Sequence, residues 1–297
     1  MEKEMSLLRK YQKLYRECGG AASFLTCFLW YVRWIDHQIF INQPAYMTLG
    51  NIAFSVVLPM HPDTPADATC VLPHYHAMIK RICRRSGYTF EFVEKFGGVY
   101  NFLYFKNRIL KQLRQNKPVL FCGTPYDRQW HVLIGYREDT NAIRYLSNHG
   151  IFEATDWYKH MNEILILNSP SANDDTGFET RMTICRALTE QMRKIPGFYT
   201  GETAYAIWVS QLLENPKYTH FNLWMLQHLL AVRRSAHQML CQFLLQYPDA
   251  GPQLRPAMNG FQRLLSIQTE GIPLDRAVKT AVETDRQIMQ ALACVFL

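Results

Sequence analysis

From Asn168 to Gly177 the chain reads Asn-Ser-Pro-Ser-Ala-Asn-Asp-Asp-Thr-Gly, and the spacing of apolar residues differs on its two sides. Upstream, three short apolar runs follow one another: Pro118–Cys122, His131–Tyr136 and Ala142–Ser147. Thr124-Pro125-Tyr126-Asp127 and Glu138-Asp139-Thr140-Asn141 separate them, and residues of these types make turns. Strands joined so closely form an antiparallel meander, to which Glu163–Leu167 adds a fourth. Downstream, apolar residues recur with helical period over about 178–195, 201–214, 219–247, 252–269 and 274–296. Gly197, Pro216, Pro248, Gly251 and Gly271-Ile272-Pro273 punctuate them. The sequence therefore predicts an α+β protein: a mixed domain at 1–167, a linker at 168–177 and an all-helical domain at 178–297.

Within the first half, Ala22, Leu25, Leu29 and Val32 predict a helix that starts near Gly19. A proline-punctuated loop between Leu58 and Pro73 follows. Helical spacing returns over Tyr75–Arg85 and Asn107–Gln115, with a short strand at Thr89–Val93 between them.

Composition narrows the functional classes. Hydrophobic residues make up 48% and charged residues 19% of the 297, which excludes a disordered chain. The longest apolar run, Ala21–Val32, is interrupted by Ser23 and Thr26 and falls short of the ~18 residues a membrane span needs. The start, Met-Glu-Lys-Glu, lacks a signal-peptide pattern. The eight cysteines are scattered without a Cys-x-x-Cys pair, so free thiols in a reducing, cytoplasmic setting are expected. The formal charge is +7, and the densest basic cluster is Lys80, Arg81, Arg84 and Arg85. It lacks the glycines and stacking aromatics of a nucleic-acid surface, so no nucleic-acid partner is expected; an acidic protein partner fits the charge equally well.

A cysteine nucleophile works as a thiolate, which a helix N-terminus and a neighbouring imidazole both favour. Cys18 precedes Gly19-Gly20-Ala21-Ala22, small residues that let a substrate approach the backbone where the apolar helix is expected to begin. Gln12 lies six residues upstream and offers an amide as an oxyanion donor beside the Cys18 N–H. His131 opens its strand and is the expected base. Asn148 follows the next strand, where it would fix the imidazole's tautomer.

These residues carry a resemblance. Gln12-x5-Cys18-Gly19, a following apolar helix, His131-Val-Leu-Ile-Gly-Tyr136 and Asn148 resemble papain-like cysteine enzymes, most of all the bacterial double-glycine leader peptidases. This likeness covers about residues 8–167. In the second half, Gly201-Glu-Thr-Ala204-Tyr205-Ala-Ile-Trp208, Arg233-Arg234-Ser-Ala236 and Phe243-Leu244 resemble the helical segment of butirosin-biosynthesis-type proteins. Those join a leader-peptidase-like domain to a helical C-terminal domain, and the namesake moves an acyl group from a carrier-protein thioester to an amine.

The resemblance implies a papain-like fold, with the nucleophile helix on an antiparallel sheet, and a catalytic set of Cys18, His131, Asn148 and Gln12. It implies no cofactor and no metal. The partner is an acyl donor such as a carrier protein, or a peptide; oligomeric state is left open. Cys18-Gly19 is nearer the leader-peptidase version, so the acceptor stays open too. An amine makes the enzyme an acyltransferase; water makes it a peptidase or amidase. A third reading keeps the fold as a non-catalytic binding or toxin-like protein.

Plainer readings stand beside these. Asp127, Asp139 and Asp156 rival Asn148 as orienters. His74-Tyr75-His76, with His61 and Cys70 nearby, suggests a metal, but i, i+2 spacing sends the two histidines to opposite sides of a strand and no carboxylate pair joins them. His149 is either a surface residue or a substrate contact. Tyr218–Trp224 with Leu226, Leu229, Leu230 and Met239 reads as helical core, or as a roof that selects an acyl chain.

Overall fold

A computed structural model describes residues 2–18, 23–35, 43–60, 75–94, 99–124, 129–170, 180–190, 197–268 and 271–297. Its first helices are α1 (Glu2–Glu17), α2 (Ser23–Trp34), α3 (Gln43–Leu49), α4 (Tyr75–Arg85), α5 (Val99–Arg114) and α6 (Trp157–His160). Further along come α7 (Thr180–Glu190), α8 (Gly201–Ile207), α9 (Thr219–Gln246), α10 (Gly251–Leu265) and α11 (Leu274–Phe296). The strands are β1 (Val57–Pro59), β2 (Tyr88–Glu94), β3 (Val119–Cys122), β4 (Trp130–Arg137), β5 (Ala142–Ser147), β6 (Gly150–Ala154), β7 (Glu163–Pro170) and β8 (Phe198–Thr200). The protein is mixed α+β, with a sheet in its N-terminal region and helices in its C-terminal region. No described helix is long and apolar enough to cross a membrane.

The contacts divide the described residues into two compact units: 2–35 with 79–170, and 43–60 with 75–78 and 180–297. In the first, six antiparallel strands run in the order β2-β7-β3-β4-β5-β6. Strand alternation sends Phe92, Leu165, Leu120, Val132 and Leu146 to one face, in register across five strands. The other face holds Phe121, Leu133, Ile143, Tyr145 and Ile164, packed with Phe105 and Ile109 of α5 and Trp157 of α6.

Where the sequence predicts one helix from Gly19, the structure has two flanking 19–22. In α1, Leu8, Tyr11 and Leu14 recur at helical spacing and are buried, while the residues between them are charged apart from Gln12. In α2 every side chain from Ser23 to Val32 is buried, as in a helix covered on all sides. Trp30 Nε1 donates to the Leu7 carbonyl at 3.4 Å, and Phe24 meets Trp130 of β4 edge-on at 5.3 Å. So α2 lies between α1 and the sheet.

The second unit draws residues 43–60 away from the N-terminal half, a division of the expected 1–167 domain with a clear cause. β1 pairs antiparallel with β8, and Arg233 of α9 donates to the Ala53 carbonyl at 2.6 Å. Arg233 is fully buried, and its guanidinium grips Asp285 of α11 with two bonds of 2.7 and 2.8 Å. The Tyr205 hydroxyl of α8 also donates to Asp285. A π-helical turn, Trp208–Leu212, follows α8; buried Asn222 accepts from Trp208 Nε1 and donates to the Leu212 carbonyl, each at 3.0 Å. α10 and α11 touch at Gly260, where a Cβ would stand 2.5 Å from Ile288 Cγ1.

Arg233→Ala leaves Asp285 charged and buried without its partner, and should cost about 3–5 kcal/mol in urea unfolding followed by circular dichroism. Gly260→Ala should cost about 1–3 kcal/mol in the same measurement, because α10 must move away from Ile288. A loss under about 1 kcal/mol for Arg233→Ala would contradict the buried clamp.

Candidate functional site

Two of the four residues singled out in the sequence meet directly. Gln12 Nε2 donates to the backbone carbonyl of Asn148 at 3.0 Å, across 136 positions. A second tie, Arg144 Nη1 to Glu4 Oε1 at 2.8 Å, fastens α1 along β5. Asn148 occupies the two-residue turn between β5 and β6, where Ser147 pairs with Gly150. Its Oδ1 accepts from Ser147 Oγ at 2.9 Å. The Gln12 amide is thus engaged with the sheet rather than aimed beside Cys18 as an oxyanion donor.

Cys18 closes the last turn of α1, its N–H donating to the Leu14 carbonyl at 2.9 Å. That N–H is therefore committed to the helix. The expected placement ahead of an apolar helix gave sulfur the positive end of a dipole; at the end of α1 it meets the negative end instead. The side chain is 0% exposed. Burial pushes the thiol up to about 12; a hydrogen bond with the Thr26 side chain opposes this, the charge of Glu17 adds to it and that of Arg33 opposes it. The apolar spacing Leu8, Tyr11, Leu14, Cys18 was the signal in the sequence that assigns this cysteine to α1.

His131 faces the other layer. Trp130 and His131 are successive residues of β4, so their side chains leave opposite faces. Trp130 meets Phe24 of α2, and its backbone N–H donates to Ser23 Oγ at 2.9 Å. The His131 ring accordingly sits with Phe121 and Tyr145, at centroid distances of 5.5 and 5.2 Å, on the α5 side. It is 2% exposed. The α1–α2 layer and this imidazole are therefore separated by the sheet, and the structure does not bring Cys18 and His131 together.

The rival orienters take other roles. Asp139 pairs with Arg137 and Asp156 with Lys159, each at 3.0 Å on the surface, and the bond from Arg137 holds the Asp139 carboxyl below its ordinary range. Asp127, His61, Cys70 and His74 lie outside the described residues, and so do Gly19, Gly20, Ala21 and Ala22. His76 is on helix α4 and His149 is exposed. Leu226, Leu229 and Met239 are buried in α9, as helical core should be. The sequence reading missed the Tyr205–Arg233–Asp285 cluster, although Asp285 stands alone in an apolar stripe of Val278, Ala281, Val282, Ile288 and Leu292. Set against known proteins, the chain matches no family model and no curated protein.

Alkaline stability tests the buried thiols. Cys83, like Cys18, is pushed by burial from 9.0 to about 12. The folded state then keeps a proton that the unfolded chain releases above about pH 9, so stability is intact below that pH and falls as pH rises toward 12. The slope should reach about 1.4 kcal/mol per pH unit for each thiol. Cys18→Ala should flatten the fall by one thiol's share between about pH 9 and 11, read from urea midpoints; an unchanged slope would mean that sulfur is not desolvated.

Proposed function

We propose that this chain is a cysteine-dependent acyl-transfer enzyme built on a papain-like first unit, and that the arrangement described above is its resting form. The observation that supports the reading is the Gln12–Asn148 hydrogen bond, which ties the helix ending in Cys18 to the turn that follows the strand beside His131. The order of Gln12, Cys18, His131 and Asn148, and the resemblance it carries, supply the rest.

In the working form the Cys18 thiol gives its proton to His131, and sulfur attacks the donor carbonyl. The leaving group departs with that proton, and Cys18 is left as a thioester. An acceptor amine then attacks the thioester; its proton passes by way of His131 to the sulfur, which leaves as the thiol. Water in the same place yields a carboxylic acid and makes the protein a peptidase or amidase. At rest the thiol is protonated and buried and the imidazole lies in the opposite layer, so the reaction requires β4 to slip by one position on donor binding and carry His131 to the α1–α2 side. A carrier-bound acyl group or a peptide is the donor, in a reducing compartment that suits seven described cysteines, none of them in a disulfide.

The second reading is a binding module that uses the same scaffold without chemistry at Cys18. The burial of that thiol and the orientation of His131 favour it. Slow alkylation of Cys18 follows from both readings, so acylation is what separates them. Wild type incubated with carrier-bound and small-molecule thioesters should gain the mass of one acyl group, located at Cys18 by peptide mapping. Cys18→Ala should gain none, and His131→Ala should acylate about 100-fold more slowly. Wild type that stays unmodified by every donor class, or Cys18→Ala acylated as fast as wild type, would leave the binding module as the function.

A further inference from the structure

The pairing of β4 with β5 has one irregular step. Leu133 stands opposite Tyr145 and Gly135 opposite Arg144, so two steps along β4 match one along β5 and Ile134 is an extra residue, a β-bulge. A bulge puts the two parts of its strand out of phase. Gly135 shares a face with Arg144, and that is the α1 face, because Arg144 binds Glu4. Without the bulge, Leu133 and His131 would alternate onto the same face as Gly135. With it they lie on the other, where His131 meets Phe121 and Tyr145.

We propose that this bulge is the source of the slip that acyl transfer at Cys18 requires: as it passes to the start of β4, residues 130–134 each take the place of the residue before, and 135–137 keep their partners. The exchange of places suits the side chains. Leu133 replaces Val132 and Ile134 replaces Leu133, apolar for apolar, while Val132 replaces an imidazole among aromatic rings. Such a run specifies register weakly, because each face receives an acceptable side chain in either position. Half-buried Ile134 gains cover, which offsets part of what Trp130 loses on moving to the place of Gln129, at the strand's end on the α5 side. His131 takes the seat of Trp130, opposite Cys122, whose backbone N–H position reaches Ser23 Oγ. Thr26, the hydrogen-bond partner of Cys18, is one helical turn from Ser23. Continued pairing with β5 then sets His131 opposite Asn148, whose carbonyl Gln12 already holds.

The slip has a use only if Cys18 carries out the acyl transfer proposed above, but trapping it needs no acyl donor. Gly123 N–H donates to the Gln129 carbonyl at 3.1 Å, so the next pair, Cys122 and Trp130, is a non-hydrogen-bonded one. Its Cα atoms are about 4.5 Å apart, within reach of a disulfide. At rest position 131 faces away from Cys122; after the slip it stands opposite. The full chain carrying His131→Cys is oxidised with diamide and its disulfides are located by peptide mapping. A bond between Cys122 and position 131 should form at least ~10-fold faster than in the same chain with Ile134 deleted, which has no extra residue to move. Its rate should also stay level in urea well below the unfolding midpoint, as a local rearrangement requires. Trp130→Cys, which faces Cys122 at rest, should bond readily with or without Ile134. Absence of the bond in His131→Cys would overturn the proposal, as would equal rates with and without Ile134 or a rate that climbs with urea as global unfolding does. Acylation separates the two inferences. Thioester capture at Cys18 undiminished by deletion of Ile134 would overturn the slip and leave the enzyme, whereas trapping in a chain that no donor acylates would keep the slip and remove the enzyme.

Discussion

A strand turns successive side chains to opposite faces, and at the step from Trp130 to His131 that alternation decides which layer receives an indole and which an imidazole. The indole goes to α2, where Phe24 meets its edge and Ser23 takes the backbone N–H. With Trp130 seated there, Val132 and Leu146 follow it onto the same face, while Leu133 and Tyr145 go to the other. Slipping β4 by one position would reverse all of these at once, burying the imidazole beside α2 and sending the indole toward α5. The side of the sheet that His131 serves is thus a property of the whole strand. Ring rotation alone does not change it.

In the second unit the dominant constraint is electrostatic. A guanidinium with no exposed surface is tolerable only when its donors are satisfied, and Arg233 distributes its own between a carboxylate, a hydroxyl and a main-chain carbonyl. Three helices and the segment around Ala53 converge on that one side chain. Hydrophobic matching would allow these helices to rotate or slide; the paired fork on Asp285 fixes their register. The π-helical turn belongs to the same polar interior, since Asn222 occupies the carbonyl that the wider turn leaves over.

Much of the fold was legible because local pattern encodes local structure. The strands around Val119, Val132, Ile143 and Leu165 are short apolar runs set off by turn residues, and the long helices of the C-terminal region repeat their apolar residues at helical spacing. α1 was harder to see, since lysine, arginine and glutamate crowd its sequence and only one narrow stripe is apolar. The strand β6 is short and follows a turn of two residues. The candidate site was the least legible part. Chain order brings Gln12 to Asn148, yet it cannot say which face of β4 an imidazole takes, and it placed Cys18 ahead of a helix when the cysteine ends one. Arg233 and Asp285 lie 52 positions apart, beyond the reach of any local period.

The tie between α1 and the β5–β6 turn runs through a main-chain oxygen. It reads the position of residue 148 and ignores its side chain. Anchoring of the helix and whatever chemistry the asparagine performs are for that reason separable traits. Sequence drift at 148 can retire one while the other persists, and related chains with a different residue there would still hold their first helix in place.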